Sequence, residues 1–125
     1  PYIIKSLTLD QSPKLTKCEQ KWDYLYIDDF VGAVNEIIES EQAGTFNLGS
    51  GRVNPLSYIV KHIEKKIDNG SKAIIGEIEY RNDQVMHLEA DINRITNATS
   101  WKPVIEIEEG LDRTIEFFNR KYIES

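Results

Sequence analysis

Trp22-Asp23-Tyr24-Leu25-Tyr26-Ile27-Asp28-Asp29-Phe30-Val31 is the stretch on which the fold turns. Its first six residues are aromatic and β-branched, with one carboxylate, which predicts a strand over 22–27. Asp28 or Asp29 then stands where a helix N-cap belongs, its carboxylate placed to accept the free amides of the next turn. Phe30, Val31, Val34, Ile37 and Ile38 recur at helical spacing, so an amphipathic helix is expected over 29–40, stopped by Ala43-Gly44. A strand running directly into a helix is the unit from which mixed α and β layers are built.

Working outward, Ile3, Ile4 and Leu7 predict a short helix over 1–9, and Gln11-Ser12-Pro13 a turn before a short edge strand over 14–17. On the other side, Thr45-Phe46-Asn47-Leu48 reads as a strand closed by Gly49-Ser50-Gly51. Asn54 is expected to cap the next helix, with Pro55 in its first turn, where a missing amide costs nothing. Leu56, Ile59, Val60, Ile63 and Ile67 mark its buried stripe, and Asn69-Gly70 its stop. Strands are expected over 73–79 and 85–90. Asp91 should cap a short helix carrying Ile92 and Ile95. A final helix from about residue 108 should bury Leu111, Ile115, Phe118 and Tyr122. The fold class is α/β (mixed), and residues 1–125 are enough for one domain with its own core and too few for two.

Composition narrows the function. Apolar residues make up 40% and charged residues 29%, the balance of an ordinary globular protein. The net charge of −6 lacks the basic stripe that nucleic acid requires. No apolar run approaches the roughly 18 residues of a membrane span. The single cysteine, Cys18, cannot form an internal disulfide, as in a reducing cytoplasm. The chain opens at Pro1 directly on Tyr2-Ile3-Ile4, which reads as a cut within a longer protein.

Several chemistries are weighed and set aside. His62 and His87 have no partner at metal-ligand spacing. The carboxylate pairs, among them Asp28-Asp29 and Glu108-Glu109, sit at helix starts, where capping and the helix dipole account for them. Gly49-Ser50-Gly51 lacks the third glycine of a dinucleotide fingerprint, with Asn54 in its place, so the glycines are read as turn residues. The loop Tyr80-Arg81-Asn82-Asp83-Gln84 is the richer candidate. It offers a guanidinium able to grip a phosphate through two parallel hydrogen bonds, and an aromatic face on which to stack.

The residues also resemble a known family. Residues 22–31 are similar to the "RDFVYVDDVV" segment of extended short-chain dehydrogenase/reductases, the NAD-dependent epimerase/dehydratase family. Gly44 to Gly51 is similar to their "G-x-x-Y-N-I-G-S-G", and Pro55-Leu56-Ser57 with its helix to their "S-L-x-E-I-V". Residues 80–84 resemble their "R-P-G-D" loop. Ala90-Asp91-Ile92, Trp101-Lys102-Pro103 and Glu109-Gly110-Leu111 resemble "A-D-I-S-K", "G-W-K-P" and "E-E-G-L". The motifs run in order across nearly the whole chain.

The resemblance implies a carboxy-terminal sugar-nucleotide-binding part, with an amino-terminal Rossmann domain for NAD or NADP outside these residues. The family's Tyr-x-x-x-Lys pair and glycine-rich cofactor loop are not found in the sequence, so no catalytic or cofactor-binding residue is assigned. What carries over is binding of a nucleotide diphosphate sugar. Arg81 stands where the family's loop arginine contacts phosphate or ribose, and Leu15 to Cys18, with Lys17, where a segment passes the base. Trp22, preceded by Lys21, replaces the arginine that usually grips the diphosphate. The variants at 22–26 and at Asp83-Gln84-Val85-Met86 resemble more the sugar-nucleotide ketoreductase branch, which includes enzymes that make CDP- or dTDP-linked deoxysugars. In the family the helix after Asp28-Asp29 and the strand at 45–48 pack back on the Rossmann sheet. The chain alone is therefore expected to self-associate, in the simplest case as a homodimer, and not to bind NAD(P). The rival reading is a stand-alone binding module that keeps the fold without the chemistry.

Overall fold

The computed structural model describes the backbone of residues 1–123 and the side chains of residues 1–121. Five helices and five short strands follow in the order α1 (Tyr2–Thr8), β1 (Lys14–Leu15), β2 (Lys21–Asp23), α2 (Ile27–Glu39), β3 (Val53–Pro55), α3 (Leu56–Ile67), β4 (Ile74–Ile75), β5 (His87–Leu88), α4 (Asn93–Ala98) and α5 (Ile107–Ile123). The mixed α and β class is as expected. β1 and β4 form a parallel pair. β2 is the centre of a three-stranded sheet, antiparallel to β3 and parallel to β5.

Three clusters of apolar side chains hold the elements together. Ile4 and Leu7 of α1, Ile59 and Ile63 of α3 and Ile115 of α5 are buried against one another. These are the stripes read from spacing, with Leu111 and Phe118 at the margin; Tyr122 lies outside the residues whose side chains are described. Leu15, Cys18 and Val60 form a second cluster beside them. Ala33 of α2, Ile95 of α4 and Trp101 form the third, flanked by Leu25, Ile37, Phe46 and Leu48.

The helix starts depart from expectation in an instructive way. Neither Asp28 nor Asp29 is an N-cap: α2 begins two residues earlier, with Tyr26 at the cap position. Both carboxylates lie in the first turn, where the helix dipole favours them. Asp29 is buried, and one carboxylate oxygen accepts the amides of Val104 and Ile105 at 3.0 and 2.9 Å. The Trp101 indole N–H donates to the Asp29 carbonyl at 2.9 Å. The aspartate therefore ties α2 to the segment before α5 and does not cap its own helix.

Asn54 does not cap α3 either. It lies in β3, paired with Trp22, and Pro55 takes the N-cap position. The first amides of α3 are met by main chain, Leu56 by the Gln20 carbonyl and Ser57 by the Cys18 carbonyl, both at 2.9 Å. A helix end needs acceptors, and any carbonyl in place will serve. Pro55 is tolerated because β3 is an edge strand.

The expected strand at 45–48 has no ladder partner among the described residues. Phe46 and Leu48 instead pack toward Trp101 and Ile95. The strands expected over 22–27, 73–79 and 85–90 shrink to 21–23, 74–75 and 87–88, since a ladder extends only as far as its neighbour runs.

On α2 the buried stripe is Asp29, Ala33 and Ile37, while Ile27, Phe30, Val31, Val34 and Ile38 face outward. Their exposure runs from 37% at Val34 to 68% at Ile38. The helix is apolar on more than one side, and the described residues cover one of them.

Candidate functional site

β2 organises the site. Alternation along a strand puts Trp22 on the opposite face from Lys21 and Asp23. Lys21 and Trp22, adjacent in sequence, are thus split across the sheet and do not form one clamp.

The Asp23 carboxylate is the hub of one face. One oxygen accepts the Ser50 amide and hydroxyl, each at 2.6 Å. The other accepts the Gly51 amide at 2.9 Å and the Ala90 amide at 3.3 Å. Gly51 has φ +69°, and a Cβ on Gly49 would lie 2.5 Å from both the Ala90 Cβ and an Asp23 oxygen. The Gly-Ser-Gly turn therefore needs its glycines for conformation and close approach, as the sequence suggested. Its amides, which a pyrophosphate would have to engage, are already held by a carboxylate. This turn does not fit a dinucleotide phosphate. Asp23 is thus a structural hub that the sequence reading did not single out; a lone acid inside an aromatic strand is the available signal.

On the other side, residues 80–86 lie along residues 19–22. The Glu19 amide donates to the Tyr80 hydroxyl at 2.9 Å. The Trp22 indole N–H donates to the Val85 carbonyl at 2.8 Å, and the Lys21 amide to the Met86 carbonyl at 2.8 Å. Between these anchors the loop closes on a turn, with the Gln84 amide 3.0 Å from the Arg81 carbonyl. Arg81 projects from its tip, 81% exposed, with Asp83 at 3.5 Å. Lys17 is exposed two residues before the segment the loop lies along. Leu15 is different: its side chain is buried with Cys18 and Val60, and its carbonyl takes the Gly76 and Ile78 amides. It supports this face from beneath and offers a ligand no side-chain contact.

Among the described residues, concavities lie elsewhere. One of about 510 Å³ is bordered by Tyr24, Arg52, Glu89, Glu106 and Glu108. Another of about 660 Å³ is bordered by His87, Glu89 and Asp91. Arg52 is committed to Glu106 by two hydrogen bonds, at 2.7 and 3.2 Å. That leaves carboxylates dominant in both, a field that repels phosphate. Neither includes Arg81, Trp22, Lys21, Leu15 or Lys17. Arg81 on the 80–86 loop, four-fifths exposed and paired only with Asp83 at 3.5 Å, is the better candidate for a phosphate contact.

His62 and His87 each pair with a carboxylate, Asp112 at 2.8 Å and Glu89 at 3.0 Å. Asp112 also accepts from Lys66 at 2.7 Å. The Lys66 hydrogen bond foremost, aided by His62, holds the Asp112 carboxyl below its ordinary range against the opposing effect of burial. The His62 and Lys66 contacts to Asp112 clip α3 to α5.

No family model matches the chain. Individual proteins do. The chain is 30% identical over 118 residues to a CDP-abequose synthase of Salmonella muenchen, an alignment covering 92% of this chain and 40% of that protein. It is 32% identical over 99 residues to a dTDP-4-dehydro-6-deoxyglucose reductase of Escherichia coli, covering 78% of this chain and 31% of that one. These homologues are NAD-dependent sugar-nucleotide epimerases/dehydratases, and the chain matches a part of each. Its fold agrees with that likeness. A UDP-glucuronic acid 4-epimerase from Bacillus cereus, solved in complex with UDP-glucuronic acid and NAD, superposes with a TM-score of 0.86 over 96% of this chain and 39% of its own, at 18% identity. At that identity the likeness is one of fold alone. The chain spans about 40% or less of the length of these family members.

Proposed function

We propose that these 125 residues are the carboxy-terminal, sugar-nucleotide-binding part of an NAD(P)-dependent nucleotide-sugar epimerase, dehydratase or ketoreductase. The observation that carries this is the 80–86 loop, fixed at both ends along residues 19–22 and presenting Arg81 to solvent. Arg81 is the principal phosphate contact, Trp22 borders it, and Lys17 adds positive charge nearby. The NAD or NADP of the parent enzyme belongs to a Rossmann domain outside these residues. Two relatives described above are named for CDP-abequose and for dTDP-4-dehydro-6-deoxyglucose, which supports a CDP- or dTDP-linked sugar as substrate. A thermal-shift panel of UDP-, dTDP-, CDP- and GDP-sugars against the full-length parent tests the proposal. At least one nucleotide sugar should stabilise the protein where the free sugar does not, and uniform silence across the panel would refute it.

The outward face of α2 supports a second part of the proposal. Fully burying one such side chain is worth about 1.5–3 kcal/mol, and five lie together on this face. Monomers rarely leave such a patch in water. The chain on its own should therefore pair with a second copy, since a two-fold contact lets the patch meet itself. Sedimentation equilibrium at tens of micromolar should show mass above 14.4 kDa, and a clean monomer would count against it.

A further inference from the structure

We propose that Trp22 is a positioning residue for Arg81, anchoring through its indole N–H the loop on which the arginine stands. The inference rests on the proposed reading of Arg81 as the nucleotide contact and adds how that contact is held. Trp22 is central in its sheet, paired with Asn54 on one side and Leu88 on the other, so its ring starts from a fixed backbone. An indole has one polar hydrogen, and here it is spent on the Val85 carbonyl at 2.8 Å. Trp22 therefore has no donor left for a phosphate. Its contribution to an anion must pass through the loop it holds.

The loop is held at two feet. Tyr80, at its start, accepts the Glu19 amide at 2.9 Å, and Val85 and Met86, at its end, accept the Trp22 indole and the Lys21 amide. Residues 81–84 between them form one tight turn. Arg81 is paired only loosely with Asp83, 3.5 Å away with both side chains about four-fifths exposed. Such a pair is screened by water and is cheap to give up. A guanidinium on an anchored turn with a disposable partner is preorganised for an incoming anion, because the cost of ordering the loop has already been met. The anchor thus takes over part of what a second phosphate-binding charge would supply.

Trp22→Phe keeps the ring and removes the N–H, and Tyr80→Phe removes the other peg. Amide hydrogen exchange on the unliganded chain reads the anchor directly. In Trp22→Phe the Lys21 and Gln84 amides should exchange about tenfold faster, the effect of one lost hydrogen bond. Tyr80→Phe should do the same at Glu19. The Ile63 and Ile115 amides, in the helical core, should not change in either. Titration with CDP and with UDP then reads the link to Arg81. Trp22→Phe should weaken the tighter of the two about three- to tenfold in the wild-type background and have no further effect beside Arg81→Ala. Unchanged loop amides in Trp22→Phe would overturn the proposal. So would an equal loss of affinity in both backgrounds, which would mean Trp22 acts without Arg81. Should neither diphosphate bind the wild-type protein, the nucleotide reading fails and the exchange data alone decide the anchor.

Discussion

Replacing Arg81 with alanine in the full-length parent weakens sugar-nucleotide binding about ten- to a hundredfold, the expected loss of one charge-assisted hydrogen-bonding group worth about 1.5–3 kcal/mol. The size follows from geometry. Arg81 is exposed at a loop tip, so its removal costs the fold little, while a bound phosphate would desolvate it and strengthen the contact. Trp22→Ala costs less, because it removes a ring and an anchor but no charge. Arg81→Lys recovers only part of the affinity, since an ammonium lacks the two-pronged match to phosphate oxygens. The check is the dissociation constant of the stabilising nucleotide sugar. An unchanged constant and an unchanged Michaelis constant in Arg81→Ala would remove the arginine from the site.

The largest effect on stability falls on Trp101. Its ring is 6% exposed within the cluster of Ala33 and Ile95, and its N–H holds the Asp29 carbonyl. Truncating a buried aromatic to alanine costs about 3–5 kcal/mol. For a chain of this size that is roughly 10–20 °C in thermal midpoint. The loss is expected to reach beyond the cavity. Asp29, Val104 and Ile105 are joined in the same knot, so α2 and the start of α5 loosen together. Thermal unfolding of Trp101→Ala followed by circular dichroism measures it, and a shift of only a degree or two would show that the third cluster is peripheral to the fold.

Much of this architecture was legible because apolar spacing is a strong signal. Ile4 and Leu7, Ile59 and Ile63, and Ile115 were read as buried faces and meet in one cluster. Helix caps were less legible, for a physical reason. Asp29 and Asn54 have the side chains that caps use, but tertiary neighbours claimed the positions first: the amides of residues 104 and 105 in one case, the carbonyls of Cys18 and Gln20 in the other. Strand lengths were overread because residue type says where a strand can form, and only a partner decides where it does. Phe46 and Leu48 show this, having strand-forming side chains but no ladder among the described residues.

The site was legible in part. The loop at 80–84 stood out by composition and lies against the segment holding Trp22. Leu15 was misjudged because an apolar residue in an edge strand can face either way, and here it faces Cys18 and Val60. Lys21 and Trp22 are neighbours in sequence but not in the site, because a strand sends adjacent side chains to opposite faces. Asp23 escaped notice because its four partners come from residues 50, 51 and 90, distances that no local pattern encodes.

The central claim is that a nucleotide sugar binds these residues on the loop side of β2. Titrating the nucleotide sugar that stabilises the parent into the isotopically labelled 125-residue chain, and following its amide and indole resonances, tests this most directly. The account predicts saturable shifts concentrated at Tyr80, Arg81, Gln84 and the Trp22 indole N–H, with little change at Glu89, Glu106 and Glu108. Shifts centred on those three glutamates, or no saturable change anywhere, would contradict it.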